Sequence, residues 1–353
     1  MSVDDSARSH ATLAKPDFAG RAGKSGADAA TPAPTRGRRR RWIWRIVVAV
    51  LVLNVVSTVA VGAFIFHSAI QRAAPAGTIP PESGDALEAT FANARKEGGD
   101  WIAAVPHQRW SQRADDGVET VAYWFAAEKP TKRTVVLVHG HRSDASMMGA
   151  FGEFYRQQGF NVFIADARGH GMSGGNYIGF GYLEQQDYLG WLSRIVEAVG
   201  SDAQILLHGV SMGGSTVLML AGNKQLPAQV KAVIDDCGFT TAMDEIGYQM
   251  HEESGMPAFP FVNIASLESK LLAGYWFGDA DAVGAAARTK LPVFVIHGDA
   301  DTYNPTWMGQ RIYDAAAGPK QLWLVPGADH TQSFFLHRPE YEQRVQEFYG
   351  KYL

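Results

Sequence analysis

The stretch ILLHGVSMGGSTVLML, Ile205–Leu220, changes character halfway along. Its first half is a short apolar run that suits a strand buried on both faces, and its second half has the apolar spacing of a helix. Between them stands Gly209-Val210-Ser211-Met212-Gly213, a G-x-S-x-G pattern. In that setting a serine sits on a tight strand-to-helix turn, where side chains at the flanking glycine positions would collide with neighbouring backbone. The hydroxyl then projects from the top of a sheet, and the following N–H, at a helix N-terminus, points at developing negative charge.

A serine hydroxyl is a poor nucleophile without a base, and the base needs an acid to hold its tautomer. Of 11 histidines, most have a packing role: His139, His208 and His297 each end an apolar run before a glycine, and His170 lies in the turn of DARGHG. His330, in PGADHTQSF, instead follows the last apolar run and falls on the same sheet edge as Ser211. HGDADTYNP offers Asp299 and Asp301. Asp301 lies deeper in the loop and suits an acid reaching His330, whereas Asp299 suits a brace for the turn. Asp235 and Asp236 are a fallback acid, and Asp329 a supporting or surface group. The chain order Ser211, Asp301, His330 is nucleophile, acid, histidine. VVLVHGHRSDASMM supplies the remaining part: the backbone N–H of His141, with that of Met212, is the expected oxyanion site. No metal site is expected, because no acidic or histidine cluster accompanies His139 and His141 in the sequence, and no cofactor is called for.

The rest of the chain fits an alternation of strands and helices. TVVLVHG (134–140), NVFIAD (161–166), QILLHG (204–209), KAVIDD (231–236), LPVFVIHG (291–298) and QLWLVPG (321–327) read as parallel strands. Helical patterns cover 145–158, 183–199, 212–223, 305–316 and 338–350. Ahead of them, QRWSQRADDGVETVAYWFAA reads as a hairpin turning at Asp115-Asp116-Gly117. The expected fold is therefore α/β, a doubly wound and mostly parallel sheet opened by an antiparallel hairpin. About fifty residues separate two of the strands, more than a crossover needs. This segment, 238–290, is expected to form a helical cap whose Met243, Met250, Met256, Phe259, Phe261 and Trp276 favour an apolar acyl group.

The N-terminus is organised differently. Residues 1–41 read as a disordered basic tail, and 42–68 as a transmembrane anchor built on the apolar run from Ile46 to Phe66. RGRRRRWIWR lies before that run and only Arg72 shortly after it, which places the N-terminus in the cytoplasm and the folded domain outside. Residues 69–100 read as a linker with a short helix at 85–97, and 101–353 as the folded domain. The net charge of −4 gives no footprint for nucleic acid, and the arginines serve as a topology signal. The single cysteine, Cys237, excludes an intrachain disulfide framework and reads as a buried apolar residue.

LVHGHRSD, ADARGHGMSGG, LHGVSMGGS, VIHGDADTYNP and GADHTQSF occur in the order in which α/β-hydrolases carry such segments. From Trp101 onward the chain resembles that superfamily, and within it bacterial membrane-anchored members of the prolyl-oligopeptidase-like and dienelactone-hydrolase-like branches. The resemblance implies a serine hydrolase with Ser211 as nucleophile, Asp301 as acid, His330 as base, and Met212 and His141 as oxyanion donors. A small acyl substrate is expected, a carboxylic ester being favoured by the cap composition, and the apolar run makes the lipid bilayer the other expected partner. The alternatives are a peptidase or amidase of the same branch, and a tethered binding protein that has lost turnover.

Overall fold

In the computed structural model, residues 36–72 and 86–353 are described. The expected tail up to residue 35 and linker residues 73–85 lie outside them. Eight strands form one sheet in the order β1-β2-β4-β3-β5-β6-β7-β8. They are β1 (Gln108–Arg113), β2 (Glu119–Phe125), β3 (Arg133–Val138), β4 (Asn161–Asp166), β5 (Gln204–Val210), β6 (Val230–Asp236), β7 (Val293–Gly298) and β8 (Lys320–Val325). The pairs β1–β2 and β2–β4 are antiparallel and the remainder parallel. β4 through β7 are buried at almost every position, as strands covered on both faces must be. This is the α/β-hydrolase fold.

The helices in chain order are α1 (Arg36–Ile70), α2 (Ala86–Ala104), α3 (Gly149–Gln157), α4 (Glu184–Val199), α5 (Met212–Ala221), α6 (Ala242–Ser254), α7 (Phe261–Leu272), α8 (Ala282–Arg288), α9 (Thr306–Ala315), α10 (Ser333–Leu336) and α11 (Arg338–Tyr349). One face of the sheet is covered by α3 and α11, through Phe151, Tyr155, Tyr341 and Phe348 packed on Val135, Leu137 and Ile164. The other carries α4, α5, α8 and α9, where Trp191, Leu218, Ala286 and Ile312 pack on Val136, Leu207 and Val295. Three boundaries differ from the sequence reading, the first being that α1 begins at Arg36, inside the tail expected over 1–41. The short helix expected at 85–97 runs on to Ala104 and packs on α3. Within the segment 238–290, α8 packs on α5 as an ordinary crossover helix, so the added structure is α6 and α7.

A third apolar cluster lies at the strand C-terminal edge. It joins Phe66 and Ile70 of α1 to Phe180, Met212, Phe239, Met250, Val262 and Tyr275. α1 is long and apolar enough to cross a membrane over Gly37–Ile70. Its exposure is uneven: Trp42, Leu53, Val56 and Val59 are open, while Gly62, Phe66 and Ile70 are buried at helical spacing. The last turns are therefore part of the folded domain's core.

A buried ion pair ties the hairpin to this frame. Arg168 reaches Asp187 of α4 through Nε at 2.7 Å and Nη2 at 2.6 Å, and Asp116 in the hairpin turn through Nη1 at 2.6 Å. Arg168 and Asp187 are both buried, and Asp116 is half open. Removing one partner of a buried pair strands the other charge. Asp187→Ala is expected to cost about 3–5 kcal/mol in a denaturant titration of the full chain in detergent. Asp116→Ala should cost less than about 1 kcal/mol. Equal losses for the two variants would show that the pair does not carry this load.

Candidate active site

The turn between β5 and α5 places Ser211 at φ 58° and ψ −123°, a left-handed backbone that L-residues rarely adopt. The glycines beside it make that turn possible. A Cβ on Gly209 would lie 2.0 Å from the Gly213 carbonyl oxygen, and one on Gly213 would lie 2.0 Å from that of Val138. Ser211 N–H donates to the Asp236 carbonyl at 2.8 Å, which ties the turn to β6. The side chain is left free to point away from the sheet edge.

Ser211, His330 and Asp301 come together there from three separate loops. Ser211 Oγ lies 2.9 Å from His330 Nε2, and His330 Nδ1 lies 2.9 Å from Asp301 Oδ2. With the Nδ1–H donating to Asp301, Nε2 is free to accept the serine proton. The other Asp301 oxygen accepts the Tyr303 and Asn304 N–H groups at 2.9 and 2.8 Å, which fixes the carboxylate. Asp299 does brace its turn, accepting Gly327 N–H at 2.7 Å. Asp329 accepts the N–H groups of Thr302 and His330 and so joins the two loops. Asp235 and Asp236 are not brought to His330 in hydrogen-bond contact. Asp236 accepts the Tyr341 hydroxyl at 2.8 Å, and Asp235 packs beneath the turn against Gly214 and Gly238.

The loop after β3 faces Ser211 with His141, whose backbone N–H has no protein acceptor among the described residues. The same holds for Met212. Four contacts hold that loop. His139 Nε2 accepts Ala167 N–H at 2.9 Å, and His170 Nε2 accepts Arg142 N–H at 3.0 Å while its Nδ1–H donates to Arg168 O. From the end of α1, Ala69 O accepts His141 Nε2–H at 2.8 Å, and Ser68 O accepts from Arg142 Nη2. Sequence reading assigned His170 to packing and placed the end of α1 in a linker. The partners of both lie far along the chain, and no local pattern signals them.

A cavity of about 420 Å³ opens over Ser211. Its apolar wall is made by Phe91 of α2, Met147, Met148, Phe151, Val210 and Phe335. Contrary to expectation, no residue of 238–290 lines it. Met250 is buried in the third core cluster, Met243, Met256 and Phe261 pack against that cluster, and Phe259 and Trp276 are exposed. α2, read as a bridging helix, forms the wall instead.

Cys237 Sγ, the Asp301 carboxylate and the His330 ring lie within 4.8 Å of one another. Burial pushes the Cys237 thiol well above its ordinary range, and Asp301 and His330 are already bonded to each other and to Ser211. Burial, with the neighbouring Asp236 charge, also raises Asp235 to about 8, and burial raises Asp236 to about 7. An unfolded Asp releases its proton near 3.9. Between about pH 4 and 8 the native state therefore holds protons the unfolded chain has lost, and stability falls as pH rises through that window. Asp235→Asn is expected to flatten the decline, read as the thermal midpoint at pH 5, 6, 7 and 8. An unchanged slope would mean that Asp235 is not the group responsible.

Residues 129–241 match the family described as serine aminopeptidase, S33. The chain is 29% identical over 225 residues to the uncharacterized protein YqkD of Bacillus subtilis, covering 64% of this chain and 73% of that one. Among solved structures it is similar to an esterase of Pyrococcus furiosus, with a TM-score of 0.58 at 20% identity over 72% of this chain and 93% of that one. It is also similar to the acylaminoacyl peptidase of Pyrococcus horikoshii, with a TM-score of 0.52 at 16% identity over 72% and 43%. The sheet order and the matched segment agree that the chain is an enzyme of the α/β-hydrolase type.

Proposed function

We propose that this chain is a membrane-anchored serine hydrolase that cleaves a carboxylic ester or related acyl bond through an acyl-enzyme. The observation that carries the reading is the hydrogen-bond line from Ser211 through His330 to Asp301, with both links at 2.9 Å. Ser211 Oγ attacks the carbonyl carbon as His330 Nε2 takes its proton, and Asp301 stabilises the resulting imidazolium. The carbonyl oxygen, now negative, is held by the N–H groups of His141 and Met212, a donor pair of which each member is worth about 3 kcal/mol. Collapse breaks the bond to the leaving group, which departs with the proton from His330. Water, deprotonated by the same ring, then releases the acid and restores Ser211.

Amide cleavage is the second reading, favoured by the match to serine aminopeptidases. An aminopeptidase substrate presents an ammonium ion close to the scissile bond. No carboxylate stands among the described residues lining the cavity, which argues for the ester.

Full-length protein in detergent, treated with a fluorophosphonate, is expected to label on Ser211 and to lose all labelling in Ser211→Ala. His170→Ala should label about tenfold more slowly with little change in thermal midpoint, because it frees the loop that carries the His141 N–H. A folded wild-type protein that does not label would overturn the acyl-transfer reading. The basic residues before the apolar run of α1 support a cytoplasmic N-terminus with the catalytic domain outside. Protease added to intact cells should then degrade the catalytic domain, and protection of that domain would reverse the topology.

A further inference from the structure

The charge of the cavity says more about the substrate than its shape. Fifteen described residues line it, among them Arg95 of α2 and Arg142 of the loop after β3. There is no aspartate or glutamate in that lining to neutralise them. Asp301 is engaged with His330, Tyr303 and Asn304, and buried Glu245 is hydrogen-bonded to Tyr303. Arg142 donates its backbone N–H to His170 and its Nη2 to Ser68 O, and neither partner is an anion. Arg95 Nε is buried and has no partner among the described residues. For Arg95 a buried guanidinium N–H without a counter-charge is costly, and the cost is removed when an anion arrives, whereas Arg142 lines the same cavity as a solvent-exposed cation.

We propose that Arg95 and Arg142 form an anion subsite, and that the substrate is an acyl compound carrying a carboxylate or phosphate group besides its scissile carbonyl. This deepens the acyl-transfer reading and rests on it. The apolar wall of Phe91, Met147, Met148, Phe151 and Phe335 takes the hydrocarbon part, Ser211 meets the carbonyl, and the two guanidinium groups hold the anionic end. Arginine suits the task because its planar fork donates two parallel N–H bonds to a carboxylate or phosphate. The same charges disfavour a substrate ammonium ion, which separates this chain from the aminopeptidases it matches in sequence.

The test is competition at Ser211 by non-hydrolysable amphiphiles, using the full chain in a neutral detergent and a neutral fluorophosphonate. Octanoate and octyl phosphate are compared with octanol as protectants. Each hydrogen bond to a charged group contributes roughly 1.5–3 kcal/mol, so the anions should protect at concentrations at least about tenfold lower than octanol. Arg95→Gln and Arg142→Gln should each remove most of that preference, and Arg95→Lys should keep part of it. Lys96→Gln, a charge loss on the exposed side of α2, should leave the preference intact. Protection by octanoate alone or octyl phosphate alone identifies which oxyacid the subsite takes. Equal protection by octanol, or a preference that survives both glutamine variants, would overturn the subsite while leaving labelling of Ser211 in place. Loss of wild-type labelling would instead bring down the acyl-transfer reading beneath it.

Discussion

Everything at this site depends on one backbone conformation, the left-handed φ of 58° at Ser211. A residue other than glycine stays there only when its surroundings leave no alternative, at a cost of order 1–3 kcal/mol. The surroundings here are rigid. β5 is hydrogen-bonded between β3 and β6, the Ser211 N–H is fixed to Asp236 O, and α5 leaves at once along the sheet. Gly209 and Gly213 approach each other and Val138 so closely that no side chain fits at either position. The strained turn is what lifts the hydroxyl off the sheet edge to the level of a histidine arriving from the loop after β8 and an aspartate from the loop after β7.

A second constraint comes from an unexpected quarter. A helix with the length and hydropathy to cross a membrane would ordinarily be a tether and nothing more. Here its last turns are buried with Met212 in one cluster, and the carbonyls at its C-terminal end accept bonds from His141 and Arg142. Helix ends leave carbonyl groups without intrahelical partners, so such acceptors are available at no cost to the helix. Arg72 continues the connection, with its N–H on Asn176 O and its guanidinium on the carbonyls of Ser173 and Gly171. The segment after the apolar run is therefore part of the wall that holds the loop after β3. An N-terminal truncation beyond Phe66 would remove a support of the site together with the apolar run.

What was legible in the sequence was what is local. Six parallel strands and the hairpin come from apolar runs closed by glycine or acid, and the observed bounds fall within a few residues of those runs. The meeting of Ser211, Asp301 and His330 could be expected because parallel strands with right-handed crossovers put all their C-terminal ends on one edge. The cavity wall was not legible. Met243, Met250 and Met256 have a composition that fits a ligand cap and a core equally well, and only packing against Phe66, Ile246 and Tyr275 decides for the core. Arg95 lies on a helix whose own pattern reveals one apolar face and nothing of what that face covers. Its place over Ser211 is set by the packing of α2 on α3 and on the turn at 145–148, contacts some fifty residues apart.

The histidines of this domain differ sharply in their partners. Desolvation holds His141 down to about 4 and His208 to about 3, and burial takes His170 well below its ordinary value. Each is then neutral at pH 7 and serves as a fixed hydrogen-bonding part: His141 on Ala69, His170 between Arg168 and Arg142, His208 between Tyr155 and Tyr341. His297 lies 3.5 Å from Asp301, yet burial still lowers it and its Nε2–H goes to Asn304 O. His330 alone has a carboxylate oxygen at 2.9 Å from Nδ1 and a hydroxyl at 2.9 Å from the opposite nitrogen. A proton arriving on that ring finds its counter-charge already in place, whereas on His141, His170 or His208 it would be a bare charge in a desolvated setting. In the proposed reaction that difference in partners is what suits His330 to act as the base.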